Sequence, residues 1–271
     1  MGVRFEEIAG DLRRRIREGE WRPGEVLPPM AELAVEYGAA RNTVAAAVAV
    51  LEDERLLWAA RKRGTVVLRP GERRTLQRGN LVRRNTRHVG EGGERVVGGY
   101  NFPAALSGDE VWAHHIPATA EVVPIPERPA NKLKVIPGTP VLRRRRCTGP
   151  EGEAPFQLSD SWIHPDAYAE VPAVAEPGAG PGAWIDRLEE AGHGPISWIE
   201  IQRVRMPVKE EADLLQIPTR IPILEILRIG YSARTQRPVE VTVARIPGDR
   251  VEIITRLQRD ASAAYPPAAG S

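Results

Sequence analysis

The chain has 271 residues, with 38 Lys and Arg against 36 Asp and Glu, a formal net charge of +2 and 42% hydrophobic residues, a composition that suits two domains of ordinary size with real cores. No run of about 18 apolar residues occurs, and MGVRFEEIAGDL leads into an amphipathic helix without an apolar signal region, so neither a membrane span nor a secretory leader is expected. The single cysteine, Cys147, excludes an internal disulfide, fits a reducing cytoplasm and reads as a small buried hydrophobe.

In chain order, the first strong local grammar runs from Pro28 to Thr65. Pro28 and Pro29 suit a helix start, because proline lacks the N–H that a first turn cannot use, and Ala31, Leu33, Ala34 and Tyr37 follow at helical spacing. Gly38 ends that helix. After Ala39 and Ala40 a longer helix opens with Arg41, Asn42 and Thr43, and Val44, Ala47, Val48 and Leu51 repeat on its inner face. Polar groups thus sit where unpaired N–H groups and the positive dipole end also lie, as in a recognition helix that meets base edges and phosphates.

Leu56, Leu57 and Trp58 lead into Arg61, Lys62, Arg63 and Gly64, then Thr65, Val66, Val67 and Leu68. Two short strands joined by a basic, glycine-containing turn make a wing that can touch phosphate or the minor groove. A helix, a turn, a second helix and a basic hairpin together form the layout of a winged helix-turn-helix. From Arg55 to Arg87 the only acidic residue is Glu72, so the basic tract covers wing and linker; it reads first as a solvated flexible linker, and beside a DNA-reading domain it would also attract phosphate at long range. Pro70-Gly71 marks a domain boundary, and EGGERVVGGY from Glu91 to Tyr100 reads as loop.

The second half alternates strands and helices. Strands are expected at Val122 to Ile125, Pro140 to Cys147, Phe156 to Ile163, Ile196 to Val204, Ile223 to Tyr231, Val239 to Ile246 and Val251 to Leu257. Helices are expected at Ala130 to Val135, Ala183 to Ala191 with Gly192 as its stop, and Lys209 to Leu215. Hairpin-length gaps make this an antiparallel α+β sheet domain. Trp184 and Trp198 lie on apolar-periodic faces and read as core. His114-His115, His164 and His193 lack metal-ligand spacing, so no metal is expected and no cofactor is implied. The Ala- and Pro-rich tail from Ala261 to Ser271 predicts disorder.

Ile8 to Arg69 resembles the DNA-binding domain of the GntR family of bacterial transcription regulators. The resemblance is carried by Ile8, Leu12 and Ile16 on a first helix, Gly19, Pro23-Gly24, Leu27-Pro28, Glu32-Leu33-Ala34, Tyr37-Gly38, Arg41-Asn42-Thr43-Val44, Leu51 and Gly64-Thr65-Val66-Val67. Ala40, Ala45 and Pro29-Met30 depart from the family pattern, which usually has serine, arginine and serine with a polar residue there. Those changes remove phosphate and base contacts.

Pro103 to Leu257 resembles the UTRA effector domain of the HutC subfamily. The matching residues are Pro137-Gly138-Thr139-Pro140-Val141, the arginine run, Gly152-Glu153-Ala154-Pro155, Gly182-Ala183-Trp184-Ile185 with Leu188, Ala191-Gly192-His193-Gly194, Glu210-Glu211-Ala212, and Arg237-Pro238-Val239-Glu240-Val241 with Asp249-Arg250. The resemblance implies a small-molecule sensor of chorismate-lyase-like fold and a homodimer. The expected organisation is a winged helix-turn-helix over 1–70, a basic and Gly-rich linker over 71–102, a UTRA-like domain over 103–258 and a tail over 259–271.

Alternation along a strand puts Arg144 and Arg146 on one face and Arg143 and Arg145 on the other. Either pair offers the rigid fork that matches carboxylate or phosphate. The family pattern, in which arginines two apart precede the turn, favours Arg144 and Arg146. Glu240 matches the family's Pro-Val-Glu, where an acidic group can accept from a ligand hydroxyl or amine or form a structural ion pair. Ser161-Trp162 stands where the family often has Ser-Tyr at a pocket edge, so Ser161 joins the effector set, and the tryptophan argues for a different or bulkier ligand. The DNA-contacting set is Arg41, Asn42, Thr43, Arg61, Lys62, Arg63, Gly64 and Thr65. These features point to a cytoplasmic DNA-binding regulator, read as a repressor, whose operator binding responds to an anionic or polar effector. A regulator without ligand sensing and a lyase-like enzyme are the alternatives, the second opposed by the lack of paired carboxylates, a nucleophile with a base, or a phosphate loop.

Overall fold

The computed structural model describes residues 4–60, 64–68, 73–78, 112–176 and 183–255, with short pieces at 82–84, 88–89, 95–96 and 99–101 and the single positions 257 and 259. Arg61, Lys62 and Arg63, most of the linker and the tail from Ala261 therefore lie outside the described residues. Among the described residues no helix is long and apolar enough to cross a membrane.

Three helices open the chain, α1 (Phe5–Arg17), α2 (Met30–Glu36) and α3 (Arg41–Asp53), followed by the hairpin β1 (Leu57–Ala60) and β2 (Gly64–Val67). Ile8, Ala9 and Leu12 of α1 meet Leu33 of α2 and Val44, Ala47, Val48 and Leu51 of α3 in one buried cluster, closed by Leu27, Leu57 and Val67. Each fully buried leucine contributes about 1.5–3 kcal/mol by leaving water. Leu27 N–H donates to the Thr65 carbonyl at 2.7 Å and Gly24 N–H to that of Val67 at 2.8 Å, so the segment before α2 lies along β2 and anchors the wing.

Short strands β3 (Arg74–Arg78), β4 (Arg83–Arg84), β5 (His88–Val89), β6 (Arg95–Val96) and β7 (Tyr100–Asn101) punctuate the connection. β3 is part of the second domain's architecture, because it pairs in parallel with β15 (Val251–Thr255) and buries Leu76 against Phe156, Leu224, Ile226 and Ile246. The expectation of a linker throughout 71–102 is thus met by a strand at Arg74–Arg78 that the polar pattern RTLQR did not announce.

The second domain is built on β8 (Trp112–His114), β9 (Thr119–Pro124), β10 (Pro140–Pro150), β11 (Gln157–Ile163), β12 (Ser197–Arg205), β13 (Ile223–Tyr231) and β14 (Pro238–Pro247). They form one seven-stranded sheet in the order β12-β13-β14-β11-β10-β8, with β9 also pairing to β10, and every pairing within it is antiparallel. One face carries Trp162, Leu227, Ile229, Val241 and Val243 and is covered by α4 (Glu127–Leu133) through Ala130 and Leu133. The other carries Leu142 and Ile163 and is covered by α5 (Pro165–Glu170), the 3-10 turn Pro172–Ala175 and α6 (Ala183–Leu188), which contribute Ala167, Val174, Trp184, Ile185 and Leu188. α7 (Lys209–Leu215) seals one end with Ala212 and Leu215 around Cys147, which is fully buried as expected.

Several boundaries differ from the sequence reading; α4 is Glu127–Leu133 rather than Ala130 to Val135, and β9 already begins at Thr119 rather than Val122. The helix expected over Ala183 to Ala191 is α only to Leu188 and continues as a π-helical turn, Glu189–His193. β10 continues past Cys147 to Pro150 because β8 pairs with Thr148, Gly149 and Pro150. α5 has no counterpart in the sequence reading. It starts at Pro165 with His164 as its cap, the ring Nδ1 accepting from Asp166 N–H at 3.2 Å.

Candidate DNA-reading face and effector site

α3 starts without a side-chain cap, since Ala40 offers only its carbonyl to Thr43 N–H at 2.9 Å and Val44 N–H at 3.2 Å. Arg41 and Asn42 are exposed and Thr43 is half-buried, so the first turn presents its own N–H groups and two polar side chains to solvent. The helix is held from behind. Arg13 of α1 grips Glu54 just past its end, with Nε to Oε2 at 2.6 Å, and Arg15 ties Glu20, Glu36 and Tyr37 together beneath α2. At the wing, Thr65 is half-buried and Gly64 has φ +97°. A Cβ on Gly64 would lie 3.0 Å from Val26 Cγ1, so both the backbone conformation and the space require glycine.

In the sheet, directly paired residues share a face, and the register assembles the second site. Arg144 stands opposite Ser161, Ser161 opposite Thr242, and Thr242 opposite Arg228; Glu240 lies one pleat further along, opposite Ile163 and Gly230. The structure therefore brings Arg144, Arg146, Ser161 and Glu240 to one face, the face that α5 and α6 cover at its Leu142 and Ile163 end. Ser161 Oγ meets Thr242 Oγ1 at 2.8 Å, Thr242 Oγ1 donates to Glu240 at 2.8 Å, and Arg228 approaches Glu240 and Thr242 at 3.5 Å. Glu240 is fully buried, and burial raises its pKa against the opposing pull of Arg228, Thr242 and Trp198. Trp198 is half-buried and packs on Tyr100 with ring centroids 5.0 Å apart, so it edges this site rather than lying wholly in the core; Trp184 is buried.

The two arginines of the site differ. Arg144 is buried and donates to the Val174 carbonyl and, at 2.6 Å, to that of Glu176, so it also fastens the 3-10 turn to the sheet. Burial first, then Arg146 and Arg187, push its pKa down to about 10. Arg146 is half-buried and has no hydrogen-bond or ion-pair partner among the described residues. Burial and then the like charge of Arg228 lower its pKa. Arg146 itself therefore carries positive charge that no carboxylate meets among the described residues, while Arg228 beside it is turned toward Glu240.

The opposite face has no such excess. Arg143 pairs with Glu121, and Arg145 pairs with Glu210 and with Asp160 at 2.7 Å. Arg245 reaches Asp160 at 2.8 Å and Glu211 at 2.6 Å, Arg205 joins Glu211 and Glu225, and Arg203 and Arg128 complete the set at Glu225. Arg143 and Arg145 are thus engaged by carboxylates, whereas Arg146 is not.

Arg228 and Thr242 were missed by sequence reasoning. Each lies in a run dominated by apolar residues, ILEILRIGY and PVEVTVARIP, and the available signal was a charged or hydroxyl residue inside an otherwise buried strand. Gly230 was missed as well. A Cβ there would sit 2.7 Å from Glu240 Cγ and 3.1 Å from Trp198 Nε1, so its absence lets the Glu240 side chain lie across β13. Gly230→Ala is expected to destabilise the domain by about 1–3 kcal/mol through overpacking, because the buried Glu240 has no room to retreat. A urea denaturation midpoint equal to that of the parent protein would show that Glu240 is not confined.

His193 is buried between Ser232, at 3.0 Å from Nδ1, and Glu170, at 3.1 Å from Nε2. It joins α5, the π-helical turn and the β13–β14 connection. Among the described residues no group of His, Cys, Asp and Glu has the arrangement to hold a metal ion.

Comparison with known proteins identifies the two domains. Residues 4–67 match the family described as bacterial regulatory proteins, gntR family, and residues 119–252 match the UTRA domain. An HTH-type transcriptional regulator of Rhizobium meliloti is 27% identical over 93% of this chain and 95% of its own length. The histidine utilization repressor of Klebsiella aerogenes is also 27% identical, over 92% of each chain. A crystal structure of a GntR-family transcriptional regulator superposes with a TM-score of 0.52 at 23% identity, covering 94% of this chain and 98% of that one, and shares the fold. DNA is the partner of the first domain, a small-molecule effector that of the second, and the chain is a transcription regulator rather than an enzyme. With its helix-turn-helix joined to a UTRA domain, the chain belongs to the GntR family of bacterial regulatory proteins, in the HutC-like group.

Proposed function

We propose that this regulator acts in the cytoplasm as a homodimer that occupies a pseudo-palindromic operator and leaves it when an anionic effector binds the UTRA domain. The observation that carries the effector class is the unpaired, half-buried Arg146 beside Arg228. An anionic group at Arg146 neutralises charge that no carboxylate of the described residues meets, and Arg144, Arg228, Ser161 and Glu240 stand in the same sheet face to orient the rest of the molecule. Glu240, charged or protonated, supplies the polar group that selects a ligand hydroxyl or amine. Release follows if the effector prefers a dimer arrangement whose two reading helices no longer match half-sites about 34 Å apart.

On the DNA side, Arg41 and Asn42 read base edges or backbone, Thr43 takes a phosphate, and the wing from Arg61 to Thr65 neutralises further phosphates. Arg41→Ala is expected to weaken operator binding by about 1–3 kcal/mol if Arg41 makes a bidentate base contact. Alanine at Arg61, Lys62 or Arg63 should instead weaken operator and random duplex alike, lowering the salt slope by roughly one per contact per chain. Fluorescence anisotropy titrations at several salt concentrations separate the two classes. Loss of slope in Arg41→Ala without loss of sequence preference would move that residue to the phosphate set.

A further inference from the structure

The end of the reading helix opposite its DNA face is fastened to the effector domain at two points. Asp53, the last residue of α3, pairs with Arg220 in the loop before β13. Two residues on, Arg55 adopts φ +61° and turns its side chain, only 12% exposed, toward Asp249 at 3.2 Å in the 3-10 turn Gly248–Arg250 that follows β14. That turn is itself rigidly seated, because Arg250 is buried and donates to the Pro155 carbonyl at 2.6 Å, and Gly248 N–H donates to the Pro222 carbonyl at 2.8 Å. The last bond joins the two docking loops to each other.

We propose that the loop before β13 and the turn after β14 form a docking surface whose occupant is the C-terminal end of α3 of the same chain. Charge complementarity supports this assignment: the helix end offers Asp53 and Arg55, and the surface offers Arg220 and Asp249 in the opposite order. The Asp53–Arg220 pair is the more exposed and the Arg55–Asp249 pair the enclosed anchor; an aspartate at 220 would face Asp53 with like charge and repel the helix end, so it does more than remove the outer pair. The two strands that end at this surface are the ones that carry Arg228, Glu240 and Thr242. A displacement of β13 against β14 at the candidate effector site therefore reaches the reading helix through two short, braced loops. That consequence rests on the regulator reading above, but the surface itself does not.

The test accordingly uses neither operator nor effector. Spin labels are placed on the exposed positions Val35→Cys of α2 and Ile136→Cys beyond α4, 83% and 78% exposed, and the labelled full-length chain is diluted with unlabelled chain so that only distances within one chain are read. The parent is expected to give a single narrow distance peak. Arg220→Asp and Asp249→Asn are each expected to lose that peak to a broad distribution, and the exchanged pair Asp53→Arg with Arg220→Asp to regain it. A broad distribution in the parent, a narrow one in both single variants, or no recovery in the exchanged pair overturns the proposal. Should Asp249→Asn fail to fold, the exchanged pair still decides, since its members lie at the surface.

Discussion

Asp160→Asn is expected to destabilise the protein by about 3–5 kcal/mol, read as a fall in the urea midpoint at constant slope. The carboxylate is 1% exposed and receives Arg145 through both oxygens, at 2.7 and 3.1 Å, and Arg245 at 2.8 Å, with Arg143 at 4.0 Å. Burial alone would raise its pKa, yet these guanidinium groups outweigh burial and leave it below the usual carboxylate value; Glu211 and Glu225 behave in the same way beside Arg205, Arg245 and Arg203. Asparagine keeps the shape and removes the charge, so Arg145 and Arg245 lose the carboxylate they enclose. The sign of the pH dependence follows. Groups with depressed folded pKa values stabilise fully above their unfolded values, about 4, and that contribution disappears as pH falls through the lower folded values. The parent should lose stability steeply on acidification, and Asp160→Asn less steeply. An equal loss in both would place the acid-sensitive group elsewhere.

Arg146→Met is expected to do the reverse to stability while removing the response to effector. Deleting an unpaired, half-buried guanidinium and replacing it with an apolar chain of similar length relieves desolvation and the repulsion from Arg228, which should raise stability by about 0.5–2 kcal/mol. The same change leaves one arginine fewer for an anion, so operator binding persists but ceases to respond to effector. Simple inorganic phosphate or sulfate, tested by thermal shift, should stabilise the parent more than the variant. A destabilised Arg146→Met would mean that Arg146 is a structural residue after all. Arg144→Met is the informative contrast, because its carbonyl partners at Val174 and Glu176 would be orphaned and stability should fall.

How much of this was legible beforehand depended on whether a feature is local. The reading domain announces itself in order along the chain: Gly38 between two helical periods, polar residues at 41–43, apolar residues at 44, 47, 48 and 51. The strand alternation likewise sufficed to separate Arg144 and Arg146 from Arg143 and Arg145. What alternation cannot supply is the neighbour across the sheet. Arg228 and Thr242 reach the site only through the pairings of β11 with β14 and of β13 with β14, contacts more than sixty positions from Arg144 along the chain. The docking of β3 was hidden for a related reason, since a basic pentapeptide with one leucine looks like linker until β15 arrives beside it.

The four consecutive arginines of β10 make the sensor vulnerable to a lesion that substitution scanning never samples. A single residue inserted between Pro140 and Val141 would rotate the strand by one pleat, sending the pair that faces Asp160 and Glu121 toward the ligand side and the other pair toward the carboxylates. Both sides would still receive arginine, so charge and composition would be almost unchanged. The hydrophobic residues would not exchange so quietly: Leu142 and Val141 would swap faces, and with them their contacts to α6 and α4. Arginine repetition thus disguises the reading frame of the strand, and the two aliphatic residues beside it are what hold that frame.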